Sequence, residues 1–184
     1  MRRYKKIAKL VFIDGVPLLW LFRFAGRKLP ARVSGTDLVE KLLQNKKNRI
    51  FLLGSNQAVL ERLAQKLSSV VGYYSPPFSK TFSSKENQKI IKNIKQSRAE
   101  ILLVAFGSLK QEQWLIENFK KTQALAGVGV GSAFEILSGE KPRAPHPLQI
   151  FGLEWLWRMT LEPRRLARRY GSDFLQLMRL LLTN

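Results

Sequence analysis

The 184-residue sequence contains no cysteine and a single histidine. Without cysteine there can be no disulfide framework, no thiolate metal site and no thiol nucleophile. The histidine, His146, stands between Pro145 and Pro147, which leaves no material for a histidine metal cluster or a Ser/His/Asp triad. Acidic residues are also scarce, 13 against 32 basic ones, and no Asp-x-Asp pair occurs, so the sequence offers no metal-binding motif. No apolar run reaches the roughly 18 uncharged residues that a membrane-crossing helix needs. The basic start, Met1 to Lys9, resembles the first part of a signal peptide, but Asp14, Gly15 and Pro17 break the apolar run behind it and no small-residue cleavage site follows. The expectation is a cytoplasmic protein, peripheral on the inner face of the plasma membrane.

What is present is an apolar content of 45%, enough for a compact core, and a net charge of +19. That charge exceeds what solubility requires and predicts a polyanionic partner: nucleic acid, anionic lipid headgroups or a diphosphate substrate.

The run Ile101-Leu102-Leu103-Val104-Ala105-Phe106 passes directly into Gly107 and a polar cluster ending at Trp114. A short, wholly apolar run closed by glycine reads as a parallel strand buried on both faces, opening at its carboxyl end into a turn and a helix. In open α/β sheets ligands bind at such ends. Arg49 to Leu53, followed by Gly54-Ser55-Asn56, repeats the theme, and a third strand is predicted at Leu125 to Val128. Gly127, Gly129 and Gly131 alternate there, so backbone could approach a ligand or a neighbouring strand. A strand at Leu10 to Ile13 and a helix at Val16 to Ala25 are predicted before these. Ser34 to Asp37 reads as a loop capping a helix that runs to Gln44, and Tyr73 to Phe82 as a loop. Helices are expected at Gln57 to Leu67, Glu86 to Ser97 and Gln111 to Lys121, with a short one near Phe134. The predicted class is α/β: a Rossmann-like, mostly parallel sheet flanked by helices.

Three prolines between Pro142 and Pro147 mark a boundary, which predicts a core over residues 1–141 and a helical appendage over 142–184. A helix is expected from Leu153 to Leu161, a break at Pro163 and a further helix from Arg164. In that last helix Leu166, Tyr170, Phe174, Leu177 and Leu181 recur at spacings of three and four, with Arg164, Arg168 and Arg169 on the flank. An amphipathic helix with a cationic flank is the form of an interfacial membrane anchor.

An ordered set of short motifs runs from about Phe12 to Arg169: Asp14-Gly15; Arg32-Val33-Ser34-Gly35-Thr36-Asp37-Leu38; Phe51-Leu52-Leu53-Gly54; Gly107 with Lys110-Gln111-Glu112-Gln113-Trp114; Gly127-Val128-Gly129; Gly139 with Arg143-Ala144-Pro145; Gly152 to Arg158; and Glu162-Pro163-Arg164-Arg165. Taken together the set resembles the WecG/TagA/CpsF family of bacterial glycosyltransferases. The resemblance implies transfer of N-acetylmannosamine or its uronic acid from a UDP-sugar to an undecaprenyl-diphosphate-linked acceptor, without metal or other cofactor, in polysaccharide or teichoic acid assembly. It implies that arginines and backbone N–H groups stabilise the leaving diphosphate.

The site residues follow from that match. Asp14 corresponds to the proposed catalytic base; the alternative is a turn aspartate before glycine. Gly107, Gln111 and Glu112 open the helix behind a strand and would contact substrate, unless Glu112 merely complements the helix dipole. Glu135 stands where the family usually carries aspartate and would grip the sugar. Arg143 would be a substrate contact or a loop salt bridge. Arg158, Arg165 and Arg168, spaced seven and three apart, would share one helix face as a diphosphate clamp, or form a basic face on lipid headgroups.

The sequence departs from the family in three ways. The βα units that usually precede the Asp-Gly strand, with a threonine- and asparagine-containing turn, are missing, so an incomplete acceptor side is expected. Leu109 replaces the usual proline before Lys-Gln-Glu, and Gly72 to Pro77 fits its region loosely. Expected partners are a UDP-sugar, the lipid-linked acceptor and an anionic membrane, with avidity gained by homo-oligomerisation and no role for nucleic acid. Two other readings stay open at this point: a non-catalytic partner subunit, and a basic nucleic-acid-binding protein supported by charge alone.

Overall fold

The computed structural model describes residues 34–163, together with residues 166 and 171. The strand predicted at Leu10 to Ile13, the helix after it and most of the helix predicted from Arg164 lie outside the described residues.

The elements alternate: α1 (Gly35–Gln44), β1 (Ile50–Gly54), α2 (Gln57–Lys66), β2 (Val70–Tyr74), α3 (Ser84–Ser97), β3 (Ile101–Ala105), α4 (Lys110–Thr122), β4 (Ala126–Gly129) and α5 (Ala133–Leu137). The four strands form one parallel sheet in the order β2-β1-β3-β4. In register, Ile50 pairs with Ile101 through to Gly54 with Ala105, and Ile101 pairs with Ala126 through to Val104 with Gly129.

The continuous apolar runs of β1 and β3 have a direct cause: both faces of the sheet are covered. Ile50, Leu52, Leu103 and Ala105 meet Val39 and Leu43 of α1, Val59, Leu60 and Leu63 of α2, and Phe134 of α5. Phe51, Leu53, Leu102 and Val104 point the other way, against Ile90 and Ile94 of α3 and Trp114 of α4. The Trp114 indole N–H donates to Asn87 Oδ1 at 2.8 Å, so its burial leaves no orphaned donor. Local signals place the helix starts. Asn56 Oδ1 accepts from Val59 N–H (2.9 Å) at the head of α2, and Ser83 Oγ accepts from Glu86 N–H (3.2 Å) at the head of α3.

Two local expectations are corrected. Gly35, Thr36 and Asp37 are already helical, because Leu38 N–H finds the Ser34 carbonyl at 3.0 Å and closes the first turn. Val70 to Tyr74, in part predicted as loop, is strand β2. It is a half-buried edge strand with Gly72 at its centre, so neither a solid apolar run nor a clean alternation marks it. The glycine serves packing: a Cβ there would lie 3.0 Å from the Phe51 ring.

After Pro142 the contacts define a second unit. In it α6 (His146–Ile150) and α7 (Glu154–Leu161) are joined through Gly152, whose φ of +71° suits glycine. Gln149 Nε2 donates to the Ala144 carbonyl at 2.6 Å, fixing the entry to α6. Among the described residues no helix is long and apolar enough to cross a membrane.

Candidate functional site

The chain leaves β1 for α2 on one face of the sheet and leaves β3 for α4 on the other, as the separate partners of Val59 and Trp114 require. Adjacent parallel strands whose connections depart to opposite faces leave a crevice between their carboxyl ends, the site at which such sheets bind ligands. Here that crevice lies between β1 and β3.

Its floor is tight. Ser55 N–H donates to the Ala105 carbonyl at 3.2 Å, one step beyond the ladder. A Cβ on Gly54 would stand 2.7 Å from the same carbonyl oxygen, and Gly54 has φ +96°, so only glycine fits. Gly107, at φ +87°, has open space around the position a Cβ would take. Leu109 adopts φ +69° and ψ −43° while lying largely exposed to solvent. That conformation costs a bulky residue on the order of 1–3 kcal/mol. Proline, fixed near φ −65°, cannot adopt it.

Gln111 sits on this rim with 6% of its surface exposed. Its Oε1 accepts the Gly131 N–H at 3.1 Å, and its Nε2 donates to Glu112 Oε1 at 2.9 Å. The side chain lies across β4 because Gly129 leaves room, where a Cβ would be 2.7 Å from Nε2. Gly127 likewise yields to Phe119 and Leu115, at 2.8 and 2.9 Å. The glycines at 127 and 129 thus admit side chains of α4 where a ligand was the other expectation, while the strand backbone pairs with its neighbour β3. Gly131, at φ +56°, remains open.

Glu135, in α5, reaches back to β1: Ser55 Oγ–H donates to its Oε1 at 2.7 Å. The Ser55 carbonyl in turn accepts from Ser75 Oγ–H at 2.7 Å, tying the tip of β2 to the same point. Glu135 Oε2 and Glu112 Oε2 are both buried and have no hydrogen-bond partner among the described residues. A buried carboxylate oxygen without a donor is uncommon in folded proteins. Two of them on one sheet rim are acceptors suited to O–H or N–H groups of a ligand.

Lys110 closes the edge beside β3. Its ammonium donates to the Ser79 carbonyl and lies 3.9 Å from the Phe82 ring centroid and 5.2 Å from that of Phe106. Burial among these groups lowers its pKa from the usual 10.5.

Gly107, Gln111, Glu112 and Glu135 are therefore on elements that end at one edge of the sheet. Arg143 and Arg158 belong to the second unit, where Arg143 Nε faces Glu154 Oε1 at 3.9 Å, the salt-bridge alternative the sequence left open. Asp14, Arg165 and Arg168 lie outside the described residues. Sequence reasoning missed Ser55, Ser75 and Lys110 as parts of the rim. Gly54-Ser55-Asn56 reads as a strand-ending turn, which is a signal for Ser55; nothing local marks Ser75. No group of three or more His, Asp or Glu side chains converges as a metal site among the described residues.

The family model described as "Glycosyl transferase WecG/TagA/CpsF family" matches residues 1–184. The chain is similar to an N-acetylglucosaminyldiphosphoundecaprenol N-acetyl-beta-D-mannosaminyltransferase of Bacillus subtilis (strain 168), with 28% identity over 170 residues covering 88% of this chain and 64% of that protein. A protein of the same description from Staphylococcus aureus (strain NCTC 8325 / PS 47) is 24% identical over 164 residues, covering 88% of this chain and 65% of its own length. The chain thus spans just under two thirds of the length of these relatives. With the match running over residues 1–184, the chain belongs to the WecG/TagA/CpsF family of glycosyl transferases.

Proposed function

We propose that this chain transfers an N-acetylmannosamine-type sugar from a UDP donor to a sugar on a lipid-linked diphosphate, at the inner membrane surface, in assembly of a cell-surface polysaccharide or teichoic acid. The observation that carries the reading is the pair of buried, unpartnered carboxylate oxygens, Glu112 Oε2 and Glu135 Oε2, beside the β1/β3 crevice. Carboxylates accept hydrogen bonds from hydroxyl and amide N–H groups, which an N-acetylhexosamine supplies. They repel phosphate and uronate alike, so the rim favours a neutral amino sugar over its uronic acid and leaves the diphosphate to other groups.

Those groups are the arginines Arg158, Arg165 and Arg168 and the backbone N–H groups near Gly107. Guanidinium pairs phosphate oxygens bidentately and stabilises charge developing on the leaving diphosphate. Asp14 removes the proton of the acceptor hydroxyl as its oxygen attacks the anomeric carbon and the bond to the nucleotide diphosphate breaks. Gln111 holds the Gly131 turn and the Glu112 carboxylate in place. The names of the relatives, with a diphosphoundecaprenol acceptor and a mannosaminyl group, agree in chemical class.

The test is sugar transfer from UDP-N-acetylmannosamine to a lipid-diphosphate N-acetylglucosamine acceptor, run beside UDP binding by calorimetry. Wild type binds UDP saturably and transfers sugar, whereas Asp14→Asn binds and does not transfer. UDP binding with no transfer by wild type would point to a partner subunit instead, and absence of UDP binding would overturn the assignment.

A further inference from the structure

The segment Ser75 to Ser83, between β2 and α3, treats its two phenylalanines in opposite ways. Phe82 is held inward, its ring 4.9 Å from that of Phe106 and beneath the Lys110 ammonium. Phe78 is fully exposed, at 105% of its reference area. The backbone that carries it is anchored: Ser75 Oγ–H donates to the Ser55 carbonyl (2.7 Å), Lys110 to the Ser79 carbonyl, and Ser79 Oγ–H to the Thr81 carbonyl (2.6 Å). Pro76 and Pro77 restrict φ on the approach. An isolated exposed apolar residue needs no explanation. This one is held out by an anchored loop and stands at the head of a cationic surface.

From Ser75 to Ala99 the chain carries six basic residues and one acid. Lys85, Lys89 and Lys92, at i, i+4 and i+7, form one exposed stripe of α3 and line a common shallow groove with Ser83, Glu86 and Gln88. The single acid, Glu86, is engaged by Tyr74 O–H at 2.9 Å. Lys80 is exposed between Phe78 and the stripe. Leu109, also exposed, adjoins Lys110 on the same carboxyl edge of the sheet.

We propose that this loop and stripe are a membrane-contact surface, with Phe78 entering the headgroup–acyl boundary of an anionic bilayer and Lys80, Lys85, Lys89 and Lys92 meeting its lipid phosphates. An apolar side chain with flanking lysines is the chemistry of interfacial binding, in which apolar insertion and attraction to anionic headgroups add. Non-specific single-strand nucleic-acid binding instead uses successive aromatics on which bases stack. In the sheet-bearing unit Phe78 is the one large exposed aromatic among the described residues. Because the loop is anchored to Ser55 and Lys110, contact there would set the crevice rim against the lipid surface. Only that last consequence rests on the proposed function.

The absence of native cysteine makes a site-resolved test direct. Phe78→Cys carries a single thiol for an environment-sensitive nitrobenzoxadiazole label, and Lys46→Cys, ahead of β1 at the amino end of the sheet, is the control. With phosphatidylglycerol vesicles the label at 78 should brighten and shift to the blue, and the label at 46 should not. Replacing Lys85, Lys89 and Lys92 by glutamine in an otherwise unlabelled chain should weaken binding to these vesicles about fivefold per lysine, and added salt should erase the difference. An unshifted label at 78 on protein that sediments with the vesicles overturns the proposal. So does a label at 78 that responds to single-stranded DNA and not to vesicles. Neither measurement uses donor or acceptor, so failure of sugar transfer would leave this result standing.

Discussion

Two glycines of β4, two residues apart, allow packing and site geometry to be separated in one experiment. In Gly129→Ala the new methyl would lie 2.7 Å from Gln111 Nε2 and 3.0 Å from its Cδ and Cγ, so the flexible amide must move. Moving it breaks the bonds to Gly131 N–H (3.1 Å) and Glu112 Oε1 (2.9 Å). Each is worth about 0.5–1.5 kcal/mol, partly offset by the roughly 0.5–1 kcal/mol gained when alanine replaces glycine in a strand. The net stability loss should therefore stay near 1 kcal/mol, a Tm drop of about 2–4 °C for a chain of this size. In Gly127→Ala the methyl would meet Phe119 Cδ2 at 2.8 Å and Leu115 Cδ2 at 2.9 Å, inside the packed layer under α4. Overpacking of this kind costs about 1–3 kcal/mol. Thermal unfolding should thus rank Gly127→Ala as at least equally destabilised. The transfer assay, run well below both Tm values, should rank the two in reverse, with kcat/KM of Gly129→Ala down about tenfold, the equivalent of ~1.4 kcal/mol. Wild-type kcat/KM in Gly129→Ala, or an equal loss in Gly127→Ala, would refute the role assigned to Gln111.

Further outcomes follow from single contacts. Glu135→Gln keeps an acceptor for Ser55 Oγ but places a donor where Oε2 lies, so kcat/KM should fall about 10–100-fold while Tm moves by less than about 2 °C. Leu109→Gly removes the cost of φ +69° and should raise stability by about 1 kcal/mol in urea titration, whereas no change would show that the conformation carries no strain. The lowered pKa of Lys110 means that the unfolded chain binds more protons between that value and 10.5, so stability gains a component that rises with pH through this window. Urea midpoints measured from neutral pH to 10.5 should show the component in wild type and not in Lys110→Met.

The sheet's central strands were legible because burial on two faces leaves a signal at every position: Phe51 to Leu53 and Ile101 to Ala105 are apolar throughout. β2 was not, since an edge strand half-covered by neighbours obeys neither simple pattern, and its Gly72 answers to the Phe51 ring, a contact no local window contains. The same division holds at the site. Gln111 could be placed from an ordered motif, and Glu135 from the family resemblance, on elements whose sheet position was inferable. The partnership of Glu135 with Ser55, and the enclosure of Lys110 by Phe82 and Phe106, depend on tertiary closure and have no sequence spacing to betray them. The glycines of β4 suggest openings, but a glycine states only that a Cβ is unwelcome, not which group arrives in its place.

The Ser55–Glu135 hydrogen bond joins residues 80 positions apart, and the Gln111–Gly131 bond then completes the rim from its far side. During synthesis from the amino end, the β1 turn emerges long before α5 exists. A nascent chain released before α5 would fold part of the sheet yet lack the carboxylate opposite Ser55. Non-local closures of this kind form late, after the local helices. The Glu135 carboxylate therefore reaches Ser55 only once α5 has docked on the sheet, and under the proposed function a truncated product would lack one side of the sugar-binding rim.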